Sequence, residues 1–185
     1  GQTNWETGSL ATDSSGAQAL FLGLNDRAYV LGRNSIFGYE ASGQRAPGFP
    51  VDVTPFHNWT LTGLSYSSAL GEIFTSSGTL GSCFSSCDTL IAATSPSGSL
   101  DWQLSFPREG SAYGMVPGPG GHLFTINSGI LIGIDPALGT QVCATPAVSY
   151  PGSLIGGSAA VFTAHHGAVQ AYDAGCQGST IYASS

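Results

Sequence analysis

Apolar residues in this chain come in short runs bounded by Gly, Pro, Ser and Asp, as in GILIGID (129–135). No segment carries the 3.6-residue period of an amphipathic helix, so short strands joined by tight turns are predicted throughout. Within these runs an aliphatic residue followed by Phe recurs, at Leu20-Phe21, Ile73-Phe74, Leu123-Phe124 and Val161-Phe162. Three of the four continue identically, as IFT, LFT and VFT. Upstream of each lies a short Gly- or Ser-containing segment: SLATDSS, LTGLSYSS, AYGMVPG or GSLIGG. One unit therefore reads as strand, turn, Phe strand, turn, third strand, Gly turn, outer strand. In the first unit Tyr29-Val30 is an alternative Phe strand, and Phe21 is preferred because it leaves the upstream segment intact. The longer Phe-to-Phe intervals are accounted for by insertions at NDRAYVLGRNS and GTLGSCFSSCDT.

A second frame follows each Phe strand: GYEASGQRAP (38–47), AATSPSGSLDW (92–102), GIDPALGTQVC (133–143) and AYDAGCQGSTIY (171–182). The Gly of the frame closes the turn before the outer strand, where a positive φ is needed. The aromatic on the outer strand, Trp102 or Tyr182, is placed to lay its ring against the turn of the neighbouring unit. GQTNW (1–5) matches the end of such a frame, with Trp5 as its aromatic. Sheets of about four strands recurring every 40–50 residues predict an all-β chain of β-propeller blades. The expected blades are 9–58, 59–110, 111–150 and 151–185, with 1–8 an outer strand of a preceding blade. Four blades and a spare outer strand suggest part of a larger ring, completed in further sequence or a partner chain. A closed four-blade ring and a β-sandwich with chance strand similarity are the alternatives.

The frame resembles the tryptophan-docking repeat of the quinoprotein-type (pyrroloquinoline quinone enzyme-like) propellers, Ala-x-Asp-x-x-Thr-Gly-x-x-x-Trp. Ala92, Gly98 and Trp102 match it, with Thr94 and Ser97 in the Asp and Thr places. Gly133, Asp135 and Gly139 follow the pattern in the third unit, where Cys143 takes the Trp place. Ala171, Asp173, Gly178 and Tyr182 follow it in the fourth, and Glu40 and Gly43 in the first, whose tail is GFPV (48–51). The resemblance covers nearly the whole chain and speaks to fold rather than chemistry. In that family, enzymes hold the quinone and a calcium ion with a catalytic Asp, acidic and amide ligands, and often a disulfide between adjacent cysteines. No two cysteines are adjacent here, and Glu40, Asp135 and Asp173 stand where the repeat itself caps a turn.

Composition narrows the partners. The 185 residues include no Lys and only four Arg, and the formal charge is −7. Neutralising phosphates needs clustered cations, so nucleic acid is excluded, and an anionic membrane surface with it. No apolar run reaches the roughly 20 residues of a membrane span. The chain begins at Gly1 with no Met or leader pattern, as a processed protein or an excerpt would.

Four cysteines point to disulfides rather than zinc, since Cys143 and Cys176 have no His at ligand spacing. Cys83 with Cys87 is the first expected pair and Cys143 with Cys176 the second. Asn58 heads the one N-glycosylation sequon, Asn58-Trp59-Thr60. Together these favour a secreted or extracytoplasmic setting.

No catalytic, cofactor or metal residues emerge, and no cofactor is expected. His165-His166 fall at a turn, and neighbours on a strand point opposite ways. His57 and His122 lie beside turns without a carboxylate at fixed spacing. No Ser stands in a G-x-S-x-G elbow, and Asp13 and Asp26 lack the dense carboxylate loop of a calcium site. The reading is a non-catalytic propeller scaffold that binds a protein or glycan partner, with further blades of another chain, or its own copies in an extracellular assembly or fibre, among the partners expected. The alternative is a quinoprotein-type oxidoreductase with its site partly outside this chain.

Overall fold

The computed structural model describes residues 19–23, 26–32, 34–53, 59–67, 70–79, 89–106, 112–146, 153–165 and 167–183. They form four four-stranded sheets, each an antiparallel meander in chain order. Sheet 1 holds β1 (Ala19–Leu22), β2 (Ala28–Leu31), β3 (Ser35–Tyr39) and β4 (Val51–Asp52). Sheet 2 holds β5 (Trp59–Ser67), β6 (Glu72–Thr79), β7 (Thr89–Thr94) and β8 (Leu100–Phe106). Sheet 3 holds β9 (Ala112–Pro117), β10 (Leu123–Asn127), β11 (Ile130–Asp135) and β12 (Thr140–Pro146). Sheet 4 holds β13 (Ser153–Gly156), β14 (Val161–His165), β15 (Ala168–Tyr172) and β16 (Gly178–Ala183). No α-helix occurs among the described residues, and a 3₁₀ turn lies at Pro119–Gly121. First strands of successive sheets lie beside one another, β5 with β9 and β9 with β13, so they form the inner side of a propeller.

Three of the four buried clusters are seams between sheets, and the fourth (Ala28, Val30, Phe37 and Tyr39) lies on the rear face of sheet 1. The first is formed by Tyr29, Leu31 and Ile36 of sheet 1 with Ile73 of sheet 2. Phe74, Ile91 and Ala93 of sheet 2 meet Met115, Leu123, Ile132 and Ile134 of sheet 3. Phe124, Ile126 and Leu131 of sheet 3 meet Val161, Tyr172 and Cys176 of sheet 4. Sheets 1, 2 and 3 thus each pack a forward face on the rear face of the next sheet. Because both faces of the middle sheets are covered, their strands read as continuous apolar runs rather than alternating ones. Each large side chain so buried contributes about 1.5–3 kcal/mol.

Strand register identifies equivalent positions. An aromatic on the second strand faces a small residue on the third in every sheet: Tyr29 with Gly38, Phe74 with Ala93, Phe124 with Gly133, Phe162 with Ala171. This corrects the first unit. Phe21 lies on β1 opposite Tyr29, so the alternative register is the one adopted, and Tyr29 is the counterpart of the three Phe. The stretch NDRAYVLGRNS is no insertion, since it contains β2. The segment SLATDSS lies outside the described residues. Tyr29 won the position because it fills the seam against Phe49 and Tyr66, at centroid distances of 5.5 and 6.5 Å. The Thr after the aromatic faces rearward, and Thr125 donates its hydroxyl to the Gly114 carbonyl at 2.7 Å.

Candidate functional site

The outer turns follow one plan. The residue two beyond each small one, namely Glu40, Ser95, Asp135 or Asp173, accepts through its carbonyl the N–H of a residue with left-handed backbone. Those residues are Gly43 (φ 82°), Gly98 (φ 80°), Gly139 (φ 65°) and Cys176 (φ 61°). The frame is therefore shifted by one in the second unit, where Ala93 and Ser95 take the places assigned to Ala92 and Thr94. In the fourth unit Cys176, and not Gly178, takes the left-handed place, so the turn that looked longer has the same span as those of units one and two. The third is the long one. Asp135 Oδ1 accepts from the N–H groups of Ala137 and Leu138, and Asp173 Oδ1 from those of Gly175 and Gln177. These acids are turn caps.

The turns of sheets 2, 3 and 4 each receive the preceding sheet, by a different chemistry each time. At the first seam Arg27 donates to the Pro96 carbonyl. Its guanidinium is held by Glu40 Oε1 at 2.6 Å. Burial opposes the Arg27 charge, but the bonds to Glu40 and Tyr29 outweigh it and raise its pKa. Gly48 rests directly on this turn, because a Cβ there would stand 1.9 Å from the Ser97 carbonyl oxygen. At the second seam Trp102 Nε1 donates to the Pro136 carbonyl at 2.7 Å. A Cβ on Gly139 would lie 2.4 Å from Trp102 Cδ2, so the indole lies flush on the turn. At the third seam a disulfide joins Cys143 to Cys176, with the Cys143 sulfur also 3.6 Å from the Ala174 carbonyl oxygen. Cys143 faces Gly133 where Trp102 faces Ala93, so a covalent bond replaces the aromatic at this seam.

Tyr182, on β16, follows a register shift as Trp102 and Cys143 do, but it pairs with Val169. Ser179 is the residue facing Ala171. Tyr182 is 59% exposed, and Ile155, which pairs with Phe162, is 62% exposed. On the same forward face Phe162 and Val169 are half-buried, whereas Phe124 and Leu131 at the same positions in sheet 3 are fully buried. The forward face of sheet 4 is thus an uncovered seam half.

A cleft of about 480 Å³ opens beside the second seam, between Tyr66 and Ser67 of sheet 2 and Pro117, His122, Asp135 and Pro136 of sheet 3. Its one carboxylate is already the Asp135 cap, and the His122 ring meets Phe124 edge-on at 6.4 Å. Among the described residues no three His, Cys, Asp or Glu side chains gather as metal ligands would. His165 ends β14, and Asp26 sits exposed in the turn before β2. Trp5, Asp13, His57, Asn58, Cys83, Cys87 and His166 lie outside the described residues. The Arg27–Glu40 link was not read from the sequence, because it has no motif. Cys143 in the Trp place and its pairing with Cys176 were both expected, and the structure shows that disulfide.

No protein-family model matches the chain, and no curated protein matches it. Solved structures do. The WD40 domain of Pan2 from Neurospora crassa superposes with a TM-score of 0.64 at 12% identity, over 90% of this chain and 52% of that one. BamB from Moraxella catarrhalis gives 0.61 at 17% identity, over 88% and 47%. A protein of unknown function from Bacteroides caccae gives 0.58 at 7% identity, over 89% and 60%. The chain therefore spans between 47% and 60% of the length of these three structures. At these identities the likeness speaks for architecture alone, and that architecture is the β-propeller.

Proposed function

We propose that this chain is a non-catalytic, extracytoplasmic propeller scaffold that binds a protein partner through the forward face of sheet 4. The observation that carries this reading is that Ile155 and Tyr182 are exposed and Phe162 and Val169 only half-buried. In the other three sheets the counterparts of Phe162 (Tyr29, Phe74, Phe124) and of Val169 (Ile36, Ile91, Leu131) are buried. An apolar face of this kind is costly to leave in water and marks a contact surface. The Cys143–Cys176 disulfide supports an oxidising compartment. No helix among the described residues is long and apolar enough to cross a membrane. The acidic net charge and the dearth of cations turn the search for partners away from nucleic acid.

The test is site-specific photo-crosslinking. With a photoreactive residue at Tyr182, irradiation in a secreted fraction of the source should attach a polypeptide, and Ile155→Asp should suppress the product. Attachment only of glycan, or a polypeptide product unchanged by Ile155→Asp, would overturn the reading.

A further inference from the structure

The cleft of about 480 Å³ opens at the second seam, and strand register gives the reason. The first-strand residue facing the second-strand aromatic is Phe21 in sheet 1, Ser65 in sheet 2, Val116 in sheet 3 and Ile155 in sheet 4. At the first seam Phe21 stacks on Tyr29 at 5.2 Å and reaches Tyr66 of sheet 2 at 5.8 Å. At the third seam Val116 packs into the cluster shared with sheet 4. Ser65 is too small to fill the second seam in this way, and the cleft deepens there to Ser65, Phe74 and Leu123. The next residue along the strand adds to the gap. Gly156 closes the third seam by direct backbone approach, since a Cβ there would stand 1.9 Å from the Pro117 carbonyl oxygen. Its counterpart at the second seam is Pro117, whose ring precludes such an approach.

The two walls of the cleft differ in chemistry. Sheet 2 presents the hydroxyls of Ser65 and Ser67, whereas sheet 3 presents Pro117, Leu123 and Pro136. Ser67 Oγ accepts the Leu70 N–H at 3.2 Å, and its own proton is left to donate. Asp135 also lines the cleft, and because its cap uses Oδ1, Oδ2 remains as an acceptor. Pro136 is fixed by the Trp102 indole, and Phe74 and Leu123 are buried, so the walls are preformed.

We propose that this cleft binds a neutral sugar residue, its hydroxyl edge on Ser65, Ser67 and Asp135 and its C–H face on Pro117 and Pro136. Sugar hydroxyls both donate and accept, which matches a wall of hydroxyls and a carboxylate oxygen. Among the described residues no Arg lines the cleft, and the chain has no Lys, so an anionic ligand would be left unpaired. A cation would meet one carboxylate already bonded to two N–H groups, opposite an apolar wall, and its desolvation would not be offset. The volume falls within the range of small-ligand sites. The cleft is separate from the forward face of sheet 4, so this site stands or falls independently of the protein-binding reading.

Saturation-transfer NMR on the full chain with the methyl glycosides of glucose, galactose, mannose, fucose and N-acetylglucosamine tests this. At least one should show transfer through its ring C–H protons. Ser65→Val installs the residue type that fills the third seam, and should weaken that binding by at least about tenfold. Asp135→Asn keeps a capping oxygen and should also weaken it, at low and high salt alike. Circular dichroism checks that both variants fold, and either suffices if the other does not. A panel without transfer, or binding indifferent to both variants, would overturn the proposal. Preference for N-acetyl-lysine amide, lost on adding salt, would also overturn it by assigning the cleft to a cationic side chain. Oligosaccharides ending in the bound sugar separate the two sources: tighter binding identifies the end of a glycan chain, and equal binding a free sugar.

Discussion

Trp102 of sheet 2 donates its indole N–H to the Pro136 carbonyl of sheet 3, and its ring occupies the space a Gly139 side chain would need. One residue thus joins two sheets by a hydrogen bond and by area. The two contributions separate by mutation. Trp102→Phe keeps most of the contact and should cost about 1 kcal/mol, the net worth of one hydrogen bond. Trp102→Ala should cost about 3 kcal/mol, the low end for a large aromatic because the ring is half-exposed. Gly139→Ala should cost about 2 kcal/mol or more, from left-handed strain and displacement of the ring. Urea unfolding of the three variants checks the order.

The third seam is covalent, so its strength depends on redox state. Cys143 and Cys176 close a loop with a sequence separation of 33 residues. Loop entropy predicts that losing the bond costs about 3–4 kcal/mol. The double variant Cys143→Ser with Cys176→Ser should show that loss in urea, insensitive to added reductant, while wild type should fall to the same level when reduced. Equal stability of reduced and oxidised wild type would contradict it.

Phe124 and Phe162 occupy equivalent positions, one buried in a seam and one on the uncovered face. Phe124→Ala should cost about 3–5 kcal/mol. Phe162→Ala in the isolated chain should cost distinctly less, and the gap should narrow when the forward face of sheet 4 is occupied. Thermal unfolding with and without the partner is the measurement.

Glu72 sits at the start of β6 with Oε2 buried and without a hydrogen-bond partner. Burial, and after it the charge of Asp101, push its carboxyl above the ordinary carboxylate value. The folded state therefore holds this proton more tightly than the unfolded state. That favours folding below the ordinary Glu value and is lost as pH rises through the raised one. Glu72→Gln should accordingly raise the melting temperature at pH 7, and the gain should vanish in acid below the ordinary Glu range. A gain independent of pH would assign the effect to something other than ionisation.

Arg27 ties Glu40 of its own sheet to the Pro96 carbonyl of the next. Arg27→Lys keeps the charge but loses the fork that reaches both acceptors, and should cost about 1 kcal/mol. A fully neutral Arg27→Lys in urea unfolding would show that Gly48 and the aromatic cluster hold this seam alone.

Architecture was legible in the sequence because a propeller repeats its local chemistry. Apolar runs, left-handed turn residues and an aromatic facing a small residue recur in each sheet, and those signals act over a few neighbouring residues. The exact frame was less legible. Phe21 outranked Tyr29 because it left the upstream segment intact, and Ala92 outranked Ala93 because the second turn is one residue shorter than the third, a difference with no residue signature of its own. The Asp caps were readable, being local to their turns.

What holds one sheet to the next lies between residues far apart in the chain, and there the sequence is nearly silent. Arg27 meets Pro96, Trp102 meets Pro136, and Cys143 meets Cys176 only once the sheets are stacked. The uncovered face of sheet 4 is a matter of tertiary structure for the same reason. Ile155 and Val116 are equivalent aliphatic positions facing an aromatic, and sequence alone cannot tell which of them has a sheet in front of it. Local periodicity determined that these residues form blades; burial, a property of what stands next to each blade, decided which of them are core and which are surface.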